Sequence, residues 1–203
     1  MTFKRKIYDK LLKWKELSAG TSAILLEGAR RIGKSTIVEQ FASNEYDDFM
    51  ILDFARESEE VKNNFVQNMD DLDTFFRNFF LMMSRLLFWR ERIWKGKNVK
   101  DILIPSEEYR IKMYPMDFEE YLWAVGDMVT YDAIKNAYEK RKPLGDAIHR
   151  KIMKTFRTYM VVGGMPQAVS AFVEGKTFAQ IDFIKRNILH LYEEDLAEYD
   201  IDN

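Results

Sequence analysis

The sequence predicts an α/β fold, a small parallel sheet with its connecting helix, followed by a mainly helical half. Three observations carry this. Ala23-Ile-Leu-Leu26 is a short apolar run bounded by turn residues, as a buried parallel strand is. After Gly33 the stretch from Lys34 to Ala42 returns to helical spacing through Ile37, Val38 and Phe41. Beyond Pro115 every segment reads as helix.

Taken in order, residues 3–18 place Ile7, Leu11 and Trp14 at i, i+4 and i+7, the pattern of an amphipathic helix. The strand at 23–26 and the helix from Lys34 follow. Phe49-Met-Ile-Leu52, closed by Asp53, reads as a second core strand, so one β–α–β unit is nearly complete in the first 54 residues. Residues 57–83 read as helix, with Asp70 and Asp71 near a helix start and an apolar face of Leu72, Phe75, Phe76 and Phe79. Residues 84–100 have no clear period. The run Asp101-Ile-Leu-Ile104 precedes Pro105, and Tyr109 to Met113 alternates as a strand does. Helices are expected at 117–125, 128–140, 144–160, 165–173 and 177–197. A boundary near 115–127 divides the chain into an α/β part, 1–125, and a helical part, 126–203.

Composition bounds the function. Of 203 residues, 47% are hydrophobic and 14% aromatic, which argues against disorder over most of the length. The formal net charge of −2 implies no general attraction to nucleic acid or membranes. With no cysteine, disulfides, zinc ribbons and thiol nucleophiles are excluded, and a reducing cytoplasm fits. Asp9, Lys10, Lys13, Lys15 and Glu16 interrupt any secretory apolar stretch after the basic start. No window of about 18 uncharged apolar residues predicts a membrane-spanning helix. The expectation is a soluble cytoplasmic protein.

Gly28-Ala-Arg-Arg-Ile-Gly33-Lys34-Ser35 matches the whole G-x-x-x-x-G-K-[ST] pattern of a P-loop. The chemistry needs these residues at this spacing. Gly28 and Gly33 permit backbone angles that wrap successive N–H groups around phosphate oxygens. Lys34 adds a point charge between the outer phosphates, and the Ser35 hydroxyl suits magnesium. The helix starting at Lys34 aims its N-terminal N–H groups and dipole at the same phosphates. The strand before and helix after the motif are its confirming context. The predicted binding segment is therefore Gly28, Ala29, Arg30, Arg31, Ile32, Gly33, Lys34, Ser35 and Thr36, with ATP and Mg2+ as ligands and Ser35 as the metal contact. Arg30 and Arg31 are candidates for phosphate contact, although such positions often face solvent.

"LLEGARRIGKST", "YRIKMYPMDFEEYLWA" at 109–124 and "FRTYMVVGGMPQAV" at 156–169 together resemble the prokaryotic AAA-type ATPases of the archaeal-ATPase-like group. Those proteins carry a P-loop ATPase domain and a conserved uncharacterised C-terminal domain. The resemblance covers residues 3–83 and 98–199, and the second and third motifs are more specific than the first. It implies an AAA-type parallel-sheet core coupled to ATP hydrolysis and conformational change. Such ATPases have a Walker B run ending in Asp-Glu and a later strand ending in a polar sensor residue. Neither is present here. Phe79-Phe-Leu-Met-Met83 ends in Ser84-Arg85, and Asp70, Asp71 and Asp73 precede it in the wrong order. Residues 84–97 replace some tens of core residues, as an internal deletion or a shifted reading frame would, and the resemblance implies a C-terminal truncation at Asn203. The core is thus expected to be incomplete, marginally stable and poor in hydrolysis, with no assignable catalytic residue.

Other features have plainer readings. The basic stretch 85–100, with Trp89 and Trp94, could stack on bases, but a solvated or out-of-frame segment is the favoured reading. His149 and His190 have no partner at metal-ligand spacing. Glu193, Glu194, Asp195, Glu198 and Asp200 form an acidic, solvated helix end. The Gly163-Gly164-Met-Pro166 turn joins two helices tightly. Rival functions are a small-molecule kinase, a non-hydrolysing sensor or partner-binding module, and a DNA-associated regulator using the basic helix 148–158. A protein partner or homo-oligomer is compatible with all of them.

Overall fold

In a computed structural model, the described residues are 2–18, 22–47, 49–71, 74–79 and 108–201. Helix α1 (Lys6–Ser18) leads to strand β1 (Ala23–Glu27), then α2 (Lys34–Glu45) and α3 (Glu59–Gln67). A helical stretch at 74–79 precedes strand β2 (Glu108–Lys112). Helices α4 (Phe118–Ala124), α5 (Thr130–Glu139), α6 (Asp146–Val162), α7 (Pro166–Val173) and α8 (Phe178–Ile201) complete the chain. Among the described residues the sheet has two strands, β1 beside β2, running parallel. The Met113 N–H extends the pairing to the Glu27 carbonyl at 2.8 Å. A short parallel sheet with mostly helical surroundings fits an incomplete α/β core followed by a helical segment.

Contacts divide the chain into two compact bodies. The first comprises Met1–Lys13, Leu26–Lys34 and Ile111–Asn203. Its core joins Met116, Tyr121, Val162, Ala168, Val169, Ala171 and Ile181. Helix α4 begins with a capping box: Asp117 accepts from the Glu120 N–H at 2.9 Å, and the Glu120 carboxylate accepts from the Asp117 N–H. Gly163 ends α6 and Pro166 opens α7, where its missing N–H costs no helical bond. Between them, Gly164 lies against Met116, whose N–H donates to the Gly164 carbonyl at 2.7 Å. The Tyr159 hydroxyl donates to the Met116 carbonyl at 2.9 Å. The motifs around Met116 and Gly164 are therefore two faces of one contact, and the turn is structural as its sequence suggests.

The second body comprises Trp14–Leu25 and Ser35–Arg110. Its described core gathers Leu52, Val61, Phe75 and Phe79, with Phe54 and Phe65 against them. Ser58 caps α3, and the buried Asn64 side chain donates to the Phe75 carbonyl at 3.0 Å. Lys15 donates to the Glu45 carbonyl and pairs with its carboxylate.

The structure departs from the sequence expectation at two places. Residues 49–52 form no strand, although Ile51 and Leu52 are buried. An apolar run reports burial; a strand also needs a ladder partner. The backbone turns immediately after this run, with the Arg56 and Glu57 N–H groups both donating to the Asp53 carbonyl. The strand paired with β1 is β2, so no β–α–β unit closes within the first 54 residues. The helix expected over 57–83 is broken after Gln67, where the Asn68 N–H folds back on the carbonyls of Asn64 and Phe65. A new helix starts where Asp71 accepts from the Thr74 N–H and hydroxyl. All of 80–107 lies outside the described residues, including the end of the expected 57–83 helix, the basic stretch 85–100 and the run Asp101–Ile104.

Candidate functional site

The loop between β1 and α2 takes an unusual backbone course. Gly28 has φ +147°, Arg31 φ +64° and Gly33 φ +92°. Left-handed residues alternating with right-handed ones curl a chain so that neighbouring N–H groups converge, an arrangement suited to anions. Gly28 has a second constraint. A Cβ there would lie 2.4 Å from the Met113 carbonyl oxygen and 2.7 Å from Ile32 Cδ1. Arg31 holds a left-handed conformation that a side chain resists, so the surrounding contacts must impose it.

Those contacts come from three directions. The Lys34 ammonium reaches back over the loop and donates to the carbonyls of Gly28 at 2.6 Å and Ala29 at 2.7 Å. An ammonium has three N–H donors, so this double anchoring fixes where the third can point. Burial, then the positive charge of Arg30, holds the Lys34 pKa below its usual value. From α8, the Tyr192 hydroxyl donates to the Arg30 carbonyl at 2.6 Å. From the segment before α1, Arg5 donates through Nη1 to the Ile32 carbonyl at 2.9 Å and through Nη2 to the Tyr114 carbonyl at 2.7 Å.

Arg5 is buried, at 6% exposure, and so is Glu120, at 5%. The Arg5 Nε lies 3.2 Å from Glu120 Oε1, yet makes no hydrogen bond, so this is a pairing of charge without a directed N–H. The same carboxylate oxygen accepts the Lys6 N–H at 2.7 Å. One buried acid thus caps α4, holds the start of α1 and neutralises the guanidinium beneath the loop.

Gly28, Ala29, Arg30 and Arg31 are exposed, Ile32 is fully buried, and Gly33 and Lys34 are half-buried. Ser35 and Thr36 follow in the first turn of α2, Ser35 half-buried and Thr36 exposed; they belong to the second body. Arg31 also lines a cavity of about 440 Å3 with Gln167, Ser170, Asn187 and Ile188 on α7 and α8. His190 faces Glu193 and Glu194 on the exposed side of α8, and His149 is exposed on α6. Among the described residues no group of three or more His, Asp or Glu could hold a metal ion. Arg5, Tyr192 and Glu120 are absent from the sequence reading. Arg5 sits in a basic Lys-Arg-Lys run that resembles solvated surface, and no periodicity marks it as buried. Glu120 had one available signal, its place three residues after Asp117 in a capping-box pattern.

No helix among the described residues is long and apolar enough to cross a membrane. Comparison with known proteins adds two findings. A family model described as an AAA domain matches residues 20–88, and one described as a domain of unknown function (DUF8612) matches residues 153–202. No curated protein and no solved structure matches the chain. The stretch that holds β1, the loop, α2 and α3 is thus similar to an AAA domain, and the end of α6 with α7 and α8 is similar to a domain of unknown function.

Proposed function

We propose that the chain binds ATP through residues 28–36, and that it holds the nucleotide without efficient hydrolysis. The observation that carries this reading is the anchoring of Lys34 by the Gly28 and Ala29 carbonyls inside a loop curled by three positive φ angles. The phosphates fit such a cradle: its backbone has no Cβ at Gly28 or Gly33, and the Lys34 ammonium is held over it by two main-chain carbonyls. Magnesium would be held by the phosphates and the Ser35 hydroxyl, which supplies a hard oxygen of the kind this ion prefers. Its charge would neutralise the outer phosphates when bound. Hydrolysis lacks support because no Asp-Glu pair of Walker B type and no sensor residue can be assigned in the sequence.

A nucleotide sensor is the second reading, favoured by the bond from Tyr192 to the Arg30 carbonyl. A helix of the C-terminal domain would then register the state of the loop. A cytoplasmic setting and a protein partner or homo-oligomer belong to the same proposal, as does a division into 1–125 and 126–203. DNA binding by the basic face of α6 is the less supported alternative.

The test is equilibrium binding of a fluorescent ATP analogue with magnesium to the chain and to Lys34→Ala. Saturable binding by the chain and a loss of at least about tenfold in the variant are expected. Equal binding by both would refute the assignment of this loop.

A further inference from the structure

We infer that Arg5 is a positioning residue for the phosphate site, acting through the Ile32–Gly33 peptide plane. The inference deepens the ATP-binding reading and rests on it. A trans peptide sets its C=O and N–H on opposite sides of one plane, and no described peptide bond is cis. The Ile32 carbonyl is turned toward the buried guanidinium, which donates to it at 2.9 Å. The Gly33 N–H must then point the other way, out of the packed side of the loop. It cannot rotate without breaking a charge-assisted bond in a buried site.

The guanidinium is itself fixed. Its second terminal nitrogen donates to the Tyr114 carbonyl at 2.7 Å, and Glu120 supplies the compensating charge 3.2 Å from Nε. Arg5 Nη1 also lies 3.7 Å from where a Cβ on Gly33 would be, so the cation stands close to this residue as well as to the Ile32 carbonyl. A positive charge behind the peptide polarises it, leaving the Gly33 N–H a stronger donor to an anion in front. Lysine cannot reproduce the arrangement, because a single ammonium cannot hold the two carbonyls and face Glu120 in the geometry of a planar fork.

The experiment uses the full chain, with inorganic tripolyphosphate and Mg·ATP as ligands, and follows the Gly33 amide by proton–nitrogen NMR. Calorimetry supplies the affinities, and thermal melting supplies the folding control. In the unaltered chain the Gly33 amide proton should move downfield when tripolyphosphate binds. In Arg5→Lys the affinity should fall about tenfold for both ligands, with a smaller Gly33 shift and an intact cooperative melt. A folded Arg5→Lys with unchanged affinity and unchanged Gly33 shift overturns the inference while leaving ATP binding intact. Should Arg5→Lys fail to fold, Glu120→Gln takes its place, since it keeps the side-chain length and releases the charge that holds Arg5. An unmoved Gly33 resonance and unmoved affinity in that variant overturn the inference equally. No binding by the unaltered chain removes the ATP reading and this inference together.

Discussion

Gly164 and Met116 touch backbone to backbone: the Met116 N–H donates to the Gly164 carbonyl at 2.7 Å, and a Cβ on residue 164 would lie 2.2 Å from the Met116 oxygen. Nothing flexible stands there to yield, because the obstructing atoms are main chain. Gly164→Ala should therefore cost about 3 kcal/mol or more, read as a lowered denaturant midpoint. A loss under about 1 kcal/mol would show that the turn can open without penalty.

Alkaline pH should loosen the same core. Tyr121 is 1% exposed, and burial pushes its phenol up to about 12 from the usual 10. The unfolded chain gives up this proton first, so stability is fully present below pH of about 10 and declines between about 10 and 12. Tyr159 shifts in the same direction, through burial and then the charges of Asp117 and Glu120. Unfolding of Tyr121→Phe should show a shallower pH dependence across that window; an unchanged slope would remove Tyr121 as its source.

At the acid end the informative group is Asp127, which accepts from the Thr130 hydroxyl at 2.6 Å and the Thr130 N–H at 2.9 Å ahead of α5. These bonds, the hydroxyl's first, hold its carboxyl below the usual range. Its contribution is present above a pH of about 4 and fades as the pH falls through the folded value. Asp127→Ala should cost about 1 kcal/mol at neutral pH, and the difference from the unaltered chain should shrink in acid. A difference constant down to a pH of about 2 would mean these bonds do not depend on the carboxylate's charge.

Thermal melting checks the expectation that the core is incomplete. A chain missing central strands should unfold below about 60 °C, and a cooperative transition well above that temperature would contradict it.

The helical half was legible because its helices announce themselves locally. Asp117 and Glu120 form a capping box, Pro166 opens α7, and Gly163 closes α6, so the expected ranges fall within a few residues of those observed. β1 was legible from the short apolar run Ala23–Leu26, and β2 from the alternation of Tyr109 to Met113. Ile51 and Leu52 misled because apolar side chains signal burial alone, whereas a ladder depends on which backbone lies alongside. The loop motif was readable to the residue, since its glycines and lysine are adjacent in the chain. Its supports were not: Arg5 and Glu120 are charged, and charge in a sequence reads as surface until a partner is known.

The bond between Tyr192 and the Arg30 carbonyl spans 162 positions. A ribosome would therefore release the loop early and the helix that braces it much later. Between those two events the motif would be exposed with one of its bracing donors not yet made. The loop's geometry is therefore completed by a residue made 162 positions after it, which leaves the nascent polypeptide open in the interval to capture by whatever else accepts a half-formed glycine-rich turn.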